Sequence, residues 1–453
     1  MSEDLISFDP SEVSYLPHKF EDIWETTKTL FNAEIKTISD INLTFYKGKS
    51  NFFKEVENSY SEEGIKFLKV YNNIRDLVLN IETILKPEIK ILKTGTTDKQ
   101  ILTRKQVALI FILGFFRIFE IGVYKMKVNV RYNFGEILNS RSGSSFEKGR
   151  CLLNYLTIIG KWLEEKNPLL EENVTYIREN KEFDINKYDN IQKLCEIEIK
   201  EKGSLFESDA SFCVDFANMY IGGGALSGGC VQEEILFAVE PEAIVSIFLM
   251  EKMNDNDAIR IDNLIQFSNY SGYGHNFQFE ENALKNNQKL IKHNIIAIDA
   301  VCVYSGGFET TDIERDLAKA FIGFNLINFS DEKVLKMKKT ISTGNWGCGA
   351  FGGDFELKFL QQWLAATYAG VEKLYYYTFK RKEMDFVAKN YKNLREIKPY
   401  DLFERLIQKD LVKGKVLEII MGDDNNEVIK LGEVPDNSNN IKKIKKKKCC
   451  CWT

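Results

Sequence analysis

Two adjacent carboxylates, Glu233 and Glu234, stand directly behind a glycine-rich loop and at the expected start of a helix. The stretch reads Asp215-Phe-Ala-Asn218-Met-Tyr-Ile-Gly222-Gly223-Gly224-Ala-Leu-Ser-Gly228-Gly229-Cys-Val-Gln232-Glu233-Glu234. Three consecutive glycines leave backbone N–H groups uncovered and permit positive φ, so the main chain can approach a bulky anion or a sugar. The spacing is neither that of a Walker A loop nor that of the dinucleotide GxGxxG. Paired acids suit glycoside chemistry, in which one carboxylic acid protonates a leaving oxygen. Two close carboxylates also raise each other's pKa, which makes one a usable acid near neutrality. Adjacent acids at a helix start equally complement the helix dipole without any chemistry. Spacing alone leaves both accounts open.

A second loop reads Thr343-Gly344-Asn345-Trp346-Gly347-Cys348-Gly349-Ala350-Phe351-Gly352-Gly353-Asp354. Five glycines within ten residues, ahead of a helix, form a phosphate cradle or simply a tight loop that needs positive φ.

Both loops need strands behind them. Phe212–Phe216, Ala258–Ile261, Ile295–Val303, Lys339–Thr343 and the Tyr-rich Lys373–Phe379 read as strands. Glu233–Lys252, bent at Pro241, Asp312–Phe321 and Asp354–Tyr368 read as helices. Strands alternating with helices predict an α/β domain, whose ligands bind beyond the carboxyl ends of the strands. Both glycine loops follow predicted strands, so both belong at that edge. Residues 20–190 read as mostly helical, because Ile65, Phe67, Leu68, Val70, Tyr71 and Ile74 follow a 3.6 period. Nothing in that half suggests chemistry; it reads as a scaffold. Residues 380–433 read as a helical and hairpin appendage.

With 453 residues the chain has room for two to three domains at about 150 residues each. A 44% apolar fraction and only 7 Pro exclude disorder for most of it. Six lysines follow residue 440, which leaves 55 basic against 66 acidic residues before it. Such an acidic body is a poor sequence-independent nucleic-acid binder, and no sequence-specific nucleic-acid partner is expected. The cysteines form no CxxC pair and only His18, His275 and His293 are present, so no metal site is expected. The unpatterned thiols suggest a reducing compartment. The acidic start does not read as a signal peptide. The longest apolar run, Val107–Phe116, is too short to span a bilayer and reads as a buried helix. The tail from about Pro435 reads as disordered and basic, ending in Cys449, Cys450 and Cys451. Its last four residues have a poor CaaX shape. A polybasic run beside acylated cysteines would suffice for membrane attachment; a nuclear address or a grip on an anionic polymer is the other account.

The order Gly-Gly-Gly, seven residues, Gln-Glu-Glu resembles the signature of the poly(ADP-ribose) glycohydrolase family. Val214-Asp-Phe-Ala-Asn218, Tyr270-Ser-Gly-Tyr273 and the whole second loop agree with it, and Ile296-Ala-Ile-Asp299-Ala300 fits between them. The long region ahead of the signature resembles the eukaryotic-type form. The resemblance implies a macrodomain-like mixed α/β sheet flanked by helices over residues 196–433, a mostly helical accessory region over 1–195 and a tail over 434–453. It implies a mainly exo-acting hydrolase of ribose–ribose bonds in poly(ADP-ribose) that releases ADP-ribose and works without a cofactor. A monomer in the cytoplasm or nucleus is expected, and the tail, read by itself, leaves room for a lipid-tethered pool through Cys449–Cys451.

Residue by residue, Glu234 matches the acid/base. Glu233 and Asn218 match holders of the ribose hydroxyls. Gly222, Gly223, Gly224 and Gln232 belong to the cleavage-site signature. Gly347, Cys348, Gly349, Ala350 and Phe351 match the diphosphate loop. Tyr273 and Phe379 match adenine-side aromatics. His275 has no role in the family. The family's adenine-gripping apolar residue and acid fall on Leu205 and Glu207 only with a gap. A non-catalytic ADP-ribose reader and a mono-ADP-ribosyl hydrolase are the alternatives; a reader has no need of both acids.

Overall fold

The computed structural model describes residues 21–85, 89–121, 131–284, 290–303, 307–326 and 337–422. The basic tail, and with it the expected lipid tether, lies outside them, as does His18. In chain order the strands are β1 (Asp98–Thr103), β2 (Asn173–Asn180), β3 (Glu196–Lys200), β4 (Phe212–Ala217), β5 (Asp257–Ile265), β6 (Ser268–Ser271), β7 (Gln278–Asn282), β8 (Lys292–Asp299), β9 (Thr340–Gly344) and β10 (Lys373–Tyr377). Among the described residues, eight of them form one sheet in the order β1-β2-β5-β8-β4-β9-β10-β3.

The sheet is mixed. The β8, β4, β9, β10 and β3 neighbours run parallel, whereas β1, β2, β5 and β8 pair antiparallel. The parallel part is buried on both faces: β4, β9 and the second half of β8 are almost wholly enclosed, and only in β4 and Ile295–Ile298 does this appear as a largely apolar run. The Thr310–Asn325 and Phe355–Tyr368 helices cover one face, with Phe321, Leu317, Trp363 and Leu360 fully enclosed. The Gln232–Val239 helix lies on the other.

The N-terminal half is largely helical, with the expected Arg104–Phe115 and Gly143–Glu165 helices. Thr103 starts the first of these with a reciprocal capping box to Gln106. The Gly143–Glu165 helix packs closely on Ser61–Leu79, where a Cβ on Gly160 would sit 2.7 Å from Val70. Two strands, β1 and β2, nevertheless fall inside residues read as helical; β2 pairs antiparallel with β5 and β1 antiparallel with β2. In β2 the polar Arg178 is buried because it pairs with Asp257 at 2.7 Å, a charge that a sequence pattern reads as surface.

Two other expectations change. The strand expected over Ile295–Val303 ends at Asp299, because the chain then leaves the sheet and Val303 N–H donates to Phe351 O at 2.8 Å. The appendage after residue 380 is helical over Asp385–Asn390, Pro399–Gln408 and Val416–Met421, without a hairpin among the described residues.

Candidate active site

Parallel β8, β4, β9 and β10 end at one edge, and each hands over to a segment of the site. After β4, Asn218 Oδ1 accepts the Tyr220 N–H at 3.0 Å and turns the chain. Gly222 and Gly223 take φ of +87° and +47°. Successive turns follow, with Ala225 N–H on Gly222 O and Ser227 N–H on Gly224 O. The chain then enters the helix at Gln232. The Gln232 amide is committed at both ends to β4: its Oε1 accepts the Phe216 N–H and its Nε2 donates to Val214 O. It registers the helix against the strand.

Glu233 and Glu234 are 2% and 7% exposed. Glu233 accepts the Asn218 N–H at 2.9 Å and the Gly222 N–H at 2.6 Å. Glu234 accepts the Gly224 N–H at 2.9 Å and the Val231 N–H at 2.8 Å. Four backbone donors therefore fix two carboxylates against the glycine loop. A third acid, Asp215 of β4, is fully buried, and among the described residues no donor reaches either of its oxygens. Burial, then the charges of Glu234 and Glu240, push the Asp215 carboxyl well above its ordinary range. Burial, then Asp215 and Glu234, also raise Glu233, against the opposing pull of its two N–H donors. Burial and like charge thus favour the neutral form in the cluster, and Asp215, which has no donor, is where a proton is held most easily. Glu240, at the far end of the same helix, is paired with His293 Nδ1. Sequence pattern gives Asp215 no role, since a strand buried on both faces hides which face an acid occupies.

The helical half reaches this site. Lys148 of the Gly143–Glu165 helix is fully buried, and its Nζ donates to the carbonyls of Gly224, Ala225, Ser227 and Gly229. Burial pulls its pKa down to about 8, opposed by the Glu234 charge. Arg131 donates to Gly223 O at 2.7 Å and lies over the Tyr220 ring. Sequence reading missed both. The one available signal was that Lys148 shares a helical stripe with Leu152, Tyr155 and Ile159, where a lysine is out of place.

After β9, the buried Trp346 donates from Nε1 to Ile298 O at 2.9 Å and anchors the second loop to β8. Gly347 takes φ +72°, with a virtual Cβ 2.8 Å from Ala300 and 3.2 Å from Lys358. Lys358 lies over Trp346 and is paired with Asp316, which also accepts the Val301 N–H. Gly349 and Ala350 are exposed at the tip. Among the described residues, the N–H groups of Gly347, Gly349, Ala350 and Phe351 donate to no carbonyl or side chain. The Cys348 thiol instead donates weakly inward to Trp346 O, and burial raises its pKa. Exposed backbone donors at the start of the Phe355–Tyr368 helix make an anion cradle that needs no cationic side chain.

Phe379 follows β10 at φ +52° and is 43% exposed. Its ring rests on Gly344, where a Cβ would sit 2.9 Å from Phe379 Cε2. Tyr273 lies beyond β6, 59% exposed, and the adjacent Gly274 N–H donates to Cys230 O at 3.0 Å. The β6–β7 tip is thereby clasped to the start of the acid-bearing helix. Leu205 is buried among Cys213 and Tyr377, and its carbonyl accepts the Ser342 hydroxyl at 2.7 Å; Glu207 is exposed. His275 is exposed as well. Among the described residues no group of three His, Cys, Asp or Glu side chains is arranged to hold a metal ion. The edge therefore combines buried acids, a bare glycine wall, unspent backbone donors and an exposed aromatic ring, a set able to move a proton, hold an anion and stack on a planar ring.

Residues 184–386 match the family model described as poly(ADP-ribose) glycohydrolase (PARG), macro domain fold, and residues 59–178 match that described as its helical domain. The probable poly(ADP-ribose) glycohydrolase 2 of Arabidopsis thaliana is 30% identical over 58% of this chain and 59% of its own length. Poly(ADP-ribose) glycohydrolase 1 of the same plant is 27% identical over 66% of this chain and 67% of its own. Poly(ADP-ribose) glycohydrolase 1 of Caenorhabditis elegans is 28% identical over 82% of this chain and 46% of its own. The chain thus spans 59% of the first of these relatives and 46% of the nematode protein. Both parts of the matched catalytic region occur in order and together cover well over half of the residues, and the chain belongs to the poly(ADP-ribose) glycohydrolase family.

Proposed function

We propose that the chain hydrolyses the ribose–ribose O-glycosidic bonds of poly(ADP-ribose), working from the free end of the polymer and releasing ADP-ribose. The observation that carries this is the Glu234 carboxylate, buried yet held by the Gly224 and Val231 N–H groups against a wall of glycine. A sugar can approach such a wall as no side chain would permit. In the proposed reaction the protonated form of Glu234 gives its proton to the leaving 2′-oxygen as the C1–O bond breaks. Positive charge develops on the ribose ring, which a neighbouring carboxylate favours. Water then adds to C1 and returns its proton to Glu234. Glu233 and Asn218 hold the ribose hydroxyls, the Gly347–Phe351 backbone takes the diphosphate, and Phe379 and Tyr273 flank the adenine. An acidic protein that binds a polyanion must draw much of the attraction from backbone donors, and the cradle after Trp346 supplies them.

The test is purified protein on defined poly(ADP-ribose) chains, beside Glu234→Gln. ADP-ribose should appear from the first turnovers while chains shorten stepwise. The variant should lose about 10²–10⁴-fold in kcat and still bind ADP-ribose. Early release of long fragments would refute the free-end mode. Binding without cleavage by the parent would make the protein a reader. Release only from singly modified protein would make it a mono-ADP-ribosyl hydrolase.

A further inference from the structure

The geometry points to Lys148 as a positioning residue that shapes the glycine loop and, through it, sets Glu234. The inference rests on the role proposed above for Glu234. Four carbonyls of one six-residue stretch, those of Gly224, Ala225, Ser227 and Gly229, converge on the Lys148 ammonium, the first three at 3.1, 3.0 and 2.9 Å. Carbonyl dipoles turned toward a common point repel one another, so this convergence requires a cation at its centre. Three N–H bonds cannot serve four carbonyls with full strength, but the positive charge attracts all four.

The link to Glu234 is short. Gly224 gives its carbonyl to Lys148 and its N–H to Glu234 Oε1 at 2.9 Å, so one residue transmits the position of the ammonium to the carboxylate. The other limb of the loop leaves no slack. A Cβ on Gly229 would lie 2.9 Å from Glu234 Cδ, and one on Gly224 would lie 2.9 Å from Gly229 Cα. Moving the Gly224–Gly229 stretch therefore moves the Glu234 carboxylate. The cradle and the Phe379 ring belong to other loops, after β9 and β10. The same helix also steadies the Tyr273 hairpin, where Glu147 accepts the Phe279 N–H at 2.9 Å and Asn154 donates to Phe267 O at 2.9 Å. The helical half thus holds two walls of the site from beneath.

The experiment uses the full chain as parent, Lys148→Met and Lys148→Gln. Three quantities are read: steady-state kinetics on poly(ADP-ribose), calorimetric binding of ADP-ribose, and hydrogen exchange of peptides covering residues 221–232 and 340–354. In Lys148→Met, kcat should fall about 100-fold, the scale of a misplaced reacting group. The KM and the ADP-ribose Kd should move by less than about threefold, because binding groups outside the loop are untouched. Exchange should rise over 221–232 and stay at the parent level over 340–354. Lys148→Gln, which restores two donors without the charge, should recover part of the kcat.

An unchanged kcat per folded molecule would overturn the proposal. So would equal losses in kcat and ADP-ribose affinity with exchange rising everywhere, and so would failure of both variants to fold, which would assign Lys148 to the fold alone. If the parent cleaves no polymer, the proposed function fails, and the exchange pattern still decides whether Lys148 orders the loop.

Discussion

Gly223 and Glu234 are in mutual contact: a Cβ built on Gly223 would lie 2.6 Å from Glu234 Oε1, and equally 2.6 Å from Glu233 Oε2. Neither carboxylate can step aside, because each is held by two backbone N–H donors. Gly223 also sits at φ +47°, where a side chain is strained. The Gly223→Ala variant should therefore displace both acids. It should lose about 100-fold in kcat, against a stability cost of about 1–2 kcal/mol. Steady-state kinetics beside urea unfolding separate the two effects. An activity loss no larger than the loss of folded protein would show that the glycine serves only the fold.

The Asp215 carboxyl makes a different kind of forecast. Its folded pKa is raised above the unfolded value by burial and by Glu234 and Glu240. Its contribution to stability is therefore fully present below the ordinary carboxylate range and is lost as pH rises toward the raised folded value. Each proton held by the folded chain alone lowers unfolding free energy by about 1.4 kcal/mol per pH unit across that window. Asp215→Asn keeps the shape and removes the ionisation. Its urea midpoint should decline less steeply than the parent's from pH 5 upward, and it should be the more stable protein at pH 8. Some slope should remain, because burial and Glu234 still raise Glu233. Parallel declines for parent and variant would mean that Asp215 is ionised in the folded protein.

The sequence disclosed the loops more fully than the supports behind them. Glycine clusters behind β4 and β9 are legible because few other residues tolerate their backbone, and the adjacent acids mark the helix start. The expected strands and helices of the α/β part occur, with ends displaced by a few residues. Strands β1 and β2 escaped because helical periodicity dominates their surroundings and because Arg178, charged but paired with Asp257, reads as solvated. Lys148 escaped for a related reason: its four partners are carbonyls, which carry no sequence signature. Gln232 was grouped with the binding residues on its position in the motif, whereas its amide is spent on β4. Pattern locates a loop, whereas the partner of each polar group is set by the folded chain.

Asp354 closes the anion cradle and fastens the C-terminal helices to it. Its Oδ1 accepts the Leu357 N–H at 2.9 Å, capping the Phe355–Tyr368 helix, and its Oδ2 accepts the Gly414 N–H at 2.8 Å. Asp354→Ala should cost about 1–2 kcal/mol through the lost cap. Proteolysis should accelerate near residues 409–415, where the chain loses its tie to the helix. The N–H groups of Gly349 and Ala350 are untouched, so ADP-ribose affinity should stay near the parent's. Calorimetry and limited proteolysis check the two halves, and a collapse of affinity would place Asp354 in the cradle itself.

Phe379 offers its ring face at the carboxyl end of β10, with Gly344 behind it. Stacking of an aromatic side chain on a base is worth about 1–3 kcal/mol, or roughly 5–150-fold in affinity. Phe379→Ala should weaken ADP-ribose binding within that range and raise KM, with kcat for bound substrate close to the parent's, because the acids on the β4 side keep their donors. Phe379→Tyr preserves the face and should bind almost as the parent does. Gly344→Ala should mimic the loss without touching the aromatic, since its Cβ would press on Phe379 Cε2 at 2.9 Å and on Tyr377 O at 2.7 Å. Calorimetry with ADP-ribose and with ribose 5-phosphate, which lacks the base, makes the attribution specific. On ADP-ribose, Phe379→Ala and Gly344→Ala should both fall below Phe379→Tyr, and on ribose 5-phosphate all three should agree. Equal losses on both would mean that the ring shapes the loop and does not meet the adenine.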